Sequence, residues 1–156
     1  MTAETKEKPE SKLMPGREMD VLVAAKILDW VPFKRPKNAY MSPDGKHVIN
    51  RGEDNDYLRF STSDGDAVRF VVPALQKRGW LVVIKAMAEG HYFRTQDIEP
   101  ITISLPFACE THWQPGAGLE NMRRRIHGRQ TAFGETMAEA ICRAGLLAVE
   151  AEKKKF

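Results

Sequence analysis

Apolar side chains recur at helical spacing in three stretches of the chain, and between these stretches the pattern shortens to runs and alternation. The first stretch sets Met19, Leu22, Val23 and Ile27 on one stripe, with Glu18, Asp20 and Asp29 elsewhere on the wheel. That spacing predicts an amphipathic helix over 15–30. Pro15 suits its first turn through its fixed φ, Glu18 complements the helix dipole, and Pro32 prevents continuation beyond Trp30. Further on, turn signals at Ser42-Pro43-Asp44-Gly45 and Arg51-Gly52-Glu53-Asp54 separate the short runs 38–41, 46–50 and 57–60. Hairpins are the expectation there. Ser61, Thr62, Ser63 and Asp64 then offer capping oxygens ahead of Val68, Val71, Val72 and Leu75, which predicts a second helix over 66–78. Pro73 opposes it, because an interior proline removes one helix hydrogen bond and clashes with the preceding turn, at about 3 kcal/mol. A kink or a late start is therefore expected.

Gly79 supplies a C-terminal cap, and the run 80–86 has the length and β-branched content of a buried central strand. Glu89-Gly90 turns into a strand at 91–95, and Ile101, Ile103 and Leu105 alternate with Thr102 and Ser104 as in a half-buried strand. These strands are expected in one sheet. The stretch 106–133 breaks the rhythm with Pro115-Gly116-Ala117-Gly118 and an arginine-rich piece at 119–129, and reads as an insertion or long functional loop. A third helix is predicted over 134–150, with Met137, Ala140, Ile141, Ala144 and Ala148 on one face and Glu139 one turn before Arg143. Cys142, Leu146 and Val149 widen its apolar surface, which points to contact with a partner chain. The fold class that results is α/β (α+β): one sandwich domain over 14–151, an antiparallel sheet with helices on both faces. A polar tail precedes it at 1–13 and a basic tail follows at 152–156.

Composition agrees with one ordinary globular core: 156 residues, 42% hydrophobic and 29% charged. The segment 1–12 alternates lysine and glutamate without an apolar stretch and does not resemble a secretory signal. No apolar run approaches the roughly 18 residues of a membrane span, so a cytoplasmic protein is expected. The net charge of +3 gathers at Lys34-Arg35-Pro36-Lys37, at Arg123-Arg124-Arg125 with Arg129, and at Lys153 to Lys155. Anionic ligands are compatible with it, nucleic acid among them. Cys109 and Cys142 match neither a redox pair nor a zinc ribbon and read as buried apolar side chains. His47, His91, His112 and His127 show no metal-ligand or hydrolase spacing. Cys109 and His112 are the one local nucleophile–base pair, without a visible orienting group or oxyanion site. No enzyme activity, cofactor or metal is expected.

The segments PGREMDVLVAAKILDW at 15–30, FSTS at 60–63 and AEAICRAGLLA at 138–148 together resemble the phage ABA sandwich domain family. Most such proteins are uncharacterised, but the phage proteins that block Thoeris immunity are similar in size and element order. That resemblance implies a non-enzymatic sponge that binds a nucleotide-derived immune signal, such as a cyclic ADP-ribose isomer or a cyclic oligonucleotide, in pockets shared within a homo-oligomer. Such a ligand calls for guanidinium donors and stacking faces. Arg143 sits in an apolar run and needs an anionic partner, either Glu139 or a ligand. Arg17 opposes the dipole of the first helix, so a nearby anion would relieve it. Ser61 and Thr62 precede a helix N-terminus, where they serve either as caps or as phosphate donors. Trp30 and Trp113 are stacking candidates, with Trp113 the one expected in an exposed loop. The alternative is a phage accessory protein that binds a host protein or nucleic acid.

Overall fold

The computed structural model describes residues 13–50, 58–86, 90–93, 100–103, 105–113 and 129–153. Helix α1 spans Arg17–Leu22 and continues as a π-helical turn, Val23–Ile27. It is shorter at both ends than the pattern predicts, because the chain leaves the helix at Asp29, whose φ of 56° is left-handed. The wider turn lets Val23, Ala24 and Ile27 all face inward at 2% exposure or less. A small antiparallel sheet follows, with β1 at Val31–Pro32, β2 at Tyr40–Met41 and β3 at Val48–Ile49 in the order β1-β2-β3. The Ser42 to His47 turn is tied by Asp44, which accepts from the Ser42 hydroxyl and the Lys46 N–H, with Gly45 at φ 75°. The expected third run is not a strand within the described residues. Leu58 and Phe60 instead enter the core from coil.

The second helix starts at α2, Asp64–Asp66, two residues earlier than predicted, with the Ser63 hydroxyl accepting the Asp66 N–H. A π turn at Ala67–Val71 leads into α3, Val72–Lys77. This is how Pro73 is accommodated. The Val72 N–H reaches back five residues to the Ala67 carbonyl, so the helix has changed winding just before the ring, and Pro73 falls in the first turn of α3.

The second three-stranded sheet has the order β4-β7-β8, from β4 at Trp80–Ala86, β7 at Phe107–Trp113 and β8 at Arg129–Gly134, all antiparallel. Three expectations are corrected here. β4 has the predicted bounds but is an outer strand, and β7 is the central one. The interval 106–133 is not one long loop, since it holds β7 and most of β8; residues 114–128, with the glycine-rich and tri-arginine pieces, lie outside the described residues. Strands β5 at Gly90–Phe93 and β6 at Pro100–Ile103 pair with each other in a separate two-stranded ladder, so the strands do not form one sheet.

Helix α4, Met137–Lys153, is the centre of this mixed α+β domain. It packs against β7 and β8 on one side and against both π turns on another. Cys142, Leu146 and Val149, expected to meet a partner chain, are 0%, 1% and 5% exposed within the single chain. The helix needs apolar residues around most of its circumference because it is enclosed by its own sheet and helices. Its first turn is capped twice: the Thr136 hydroxyl accepts the Glu139 N–H, and the Asp64 carboxylate accepts the Ala138 N–H at 2.8 Å.

Candidate functional site

Three of the six predicted ligand residues, Ser61, Trp30 and Trp113, are engaged within the chain itself. Ser61 is fully buried; its N–H and hydroxyl both donate to Asp20 Oδ1 at 2.7 Å, while the hydroxyl accepts the Gly16 N–H at 2.8 Å. It ties the start of α1 to the lead-in of α2, so its hydroxyl is not a phosphate donor. Trp30, 7% exposed, meets Phe60 at 5.4 Å and Phe70 at 5.9 Å edge-on and belongs to the core. Trp113 is the last residue of β7, not part of an exposed loop, and is half-buried against Trp80 at 5.3 Å. Thr62 and Arg17 are exposed, and neither lines the two cavities described below.

Asp20 has a distinct electrostatic consequence. It is 1% exposed, its Oδ2 has no hydrogen-bond partner among the described residues, and burial pushes its carboxyl above the usual range despite the two Ser61 hydrogen bonds. The folded chain thus holds this proton to higher pH than the unfolded chain, so stability falls as pH rises from the ordinary aspartate range through the raised folded value. Asp20→Asn keeps an acceptor for Ser61 and cannot ionise. Urea denaturation over a pH series is expected to show the variant gaining on the wild type as pH rises; a constant difference would assign Asp20 no such effect.

The Cys109–His112 pair does not assemble. Residues three apart on a strand point to opposite faces; Cys109 faces the helices, fully buried, with its thiol pushed up to about 12 by burial. His112 lies on the other face, where its Nε2 is 2.9 Å from Glu110 Oε1, and Lys85 Nζ is 2.9 Å from Glu110 Oε2. Burial alone would raise the Glu110 carboxyl, but the hydrogen bonds from Lys85 and His112 and the charges of Lys85 and Arg129 outweigh it and hold the carboxyl low. The sequence reading missed this trio. Glu110 and His112 are two apart and share a strand face, a signal available only once β7 is recognised as a strand.

Arg143 is the predicted residue that does line a cavity. Its Nε and one terminal nitrogen both lie 2.9 Å from Glu139 Oε2, with side-chain exposures of 12% and 10%. Glu139 Oε1 accepts the Glu135 N–H at 3.0 Å, which fixes the carboxylate at the start of α4. The internal partner is therefore present, as one of the two sequence alternatives holds. Glu139, Arg143 and Leu147 form one stripe of α4 and line, with Leu105 and the 131–133 stretch of β8, a cavity of about 380 Å³; of those three strand residues Ala132 is the one on the helix-facing side with Cys109. Gly134 permits that approach: a Cβ there would lie 2.8 Å from the Ala140 nitrogen and 2.8 Å from Glu139 Cβ.

A larger cavity, about 680 Å³, is lined by Lys26, Asp29, Arg78, Glu152 and Lys153 among others. Its central cation is engaged in holding the fold. Arg78 donates to the Lys26 and Ile27 carbonyls, to Asp29 and to Glu152, whose second oxygen accepts the Trp80 indole N–H. The carbonyl ends of two helices also meet there, which disfavours an anion. The smaller cavity is the better candidate for one.

No helix among the described residues is long and apolar enough to cross a membrane. No protein-family model matches the chain, and no curated protein matches it. The chain is similar in fold to a phage protein from Bacillus cereus ATCC 14579 solved as a crystal structure, with a TM-score of 0.52 and 16% identity over 91% of this chain and 99% of that one. At that identity the likeness concerns the fold alone.

Proposed function

We propose that the chain is a phage-encoded sponge that binds a nucleotide-derived immune signal, a cyclic ADP-ribose isomer or cyclic oligonucleotide, in the host cytoplasm and holds it without catalysis. The observation that carries this reading is the mostly buried Arg143–Glu139 pair on the wall of a 380 Å³ cavity between α4 and β8. The volume falls within the range of small-molecule sites. A guanidinium has N–H donors on several edges, so Arg143 bridges the anchored Glu139 carboxylate and a ligand phosphate. The fold likeness to a phage protein supports the phage setting.

Arg143→Ala would leave the buried Glu139 without its cation and cost about 2 kcal/mol of stability, which confounds a binding test. Arg143→Lys keeps the charge and loses the planar fork. Calorimetric titration of nucleotide signals is expected to give a roughly tenfold or greater loss of affinity for Arg143→Lys with little change in melting temperature. Wild-type affinity in that variant would remove the ligand from this cavity.

A further inference from the structure

A strand at the edge of a sheet offers a row of backbone N–H and C=O groups to any strand that lies beside it. β4 pairs with β7 through all seven residues, and no other strand among the described residues pairs with its second side. Edges of this kind are usually blunted by proline, a bulge or an outward charge. β4 has no proline, its register with β7 is unbroken, and the one lysine, Lys85, reaches Glu110 at 2.9 Å, which offsets its charge. The strand instead carries Leu81 and Ile84, 42% and 37% exposed, on opposite faces.

A second copy of this chain fits that edge. Laid antiparallel to itself with all seven residues overlapping, β4 is centred on Val83, and Trp80 falls opposite the partner subunit's Ala86. On one face Ile84 falls opposite the partner subunit's Val82. On the other, Leu81 falls opposite the partner subunit's Lys85, whose methylene stem covers it. The two lysines stay apart, each opposite a leucine and not opposite its own copy. The geometry points to a two-fold dimer in which the β4 edges pair antiparallel about Val83 and the two β4-β7-β8 sheets merge into one. The two-fold axis stands perpendicular to the sheet, so both helical layers lie on the same side. The cavity beside β8 lies toward the far edge of each sheet, and the dimer does not depend on what that cavity binds.

Light scattering coupled to gel filtration tests this on the full chain. The wild type is expected at twice the 17.7 kDa chain mass. Leu81→Lys sets lysine opposite lysine at two symmetric places and is expected to raise the dimer dissociation constant roughly tenfold or more. Leu81→Glu sets glutamate opposite lysine at the same places and is expected to retain the dimer. Both substitutions fall on an exposed side chain, and circular dichroism melts report whether each variant is folded. A wild type that stays monomeric throughout the micromolar range overturns the proposal. So does a Leu81→Lys variant as dimeric as the wild type, or a folded Leu81→Glu variant that dissociates as readily as Leu81→Lys.

Discussion

Phe60→Ala is expected to lower the unfolding free energy by about 3–5 kcal/mol, the range for deleting a large buried aromatic. Phe60 is fully buried and lies edge-on to Trp30 at 5.4 Å and at 5.7 Å from Phe70, while its carbonyl accepts the Cys142 thiol at 3.2 Å. It therefore joins the end of α1, the π turn after α2 and the middle of α4, and the next residue is the Ser61 that secures Asp20. Truncation leaves a cavity bordered by three separate elements that cannot all collapse into it. For a domain whose total stability is on the order of 5–15 kcal/mol, this loss approaches global unfolding. Chemical denaturation checks it; a loss under about 1 kcal/mol would mean that the aromatic cluster is not cooperative with the rest of the core.

Gly134→Ala should cost about 3 kcal/mol, the upper part of the usual overpacking range, because its Cβ would sit 2.8 Å from the Ala140 nitrogen, a backbone atom of a capped helix. Relief requires moving the first turn of α4 away from β8. That turn holds Glu139, so the same substitution displaces the Arg143 pair and should weaken ligand binding. Gly145→Ala provides the contrast. Its Cβ would meet the Ile27 Cδ1 at 2.8 Å and the Leu75 Cδ1 at 3.2 Å, both side-chain ends, and alanine gains about 1 kcal/mol over glycine in a helix interior. A smaller loss is expected at 145 than at 134, measured by thermal melts of both variants. The reverse order would contradict the close packing of β8 on α4.

The elements legible in the sequence are those whose own residues carry the period. α1, β4 and α4 were readable from their apolar spacing, and the turn at Ser42-Pro43-Asp44-Gly45 from its chemistry. β7 was not, because its helix-facing positions include Cys109 and Thr111, which are compatible with many environments, while its other face bears Glu110 and His112 beside a lysine from β4. The place of β4 at the edge follows from strand order, which no local pattern specifies. The π turns leave only an indirect trace, the awkward Pro73. At the site, the spacing of Glu139 and Arg143 announced their pair, but their burial depends on β8, and the engagement of Ser61 depends on Asp20, 41 residues away. Trp30 and Trp113 were ambiguous for a general reason: an aromatic suits a ligand face and a core equally, and only packing separates the two.

The most direct measurement of the central claim is ligand release. Purified protein is mixed with a panel of cyclic nucleotides and ADP-ribose isomers, freed of unbound material, heat-denatured, and the supernatant analysed by mass spectrometry. The account predicts that one signal returns intact from the wild type and is strongly depleted in Arg143→Lys. Release of a converted product would indicate an enzyme, and failure to retain any member of the panel would contradict the sponge.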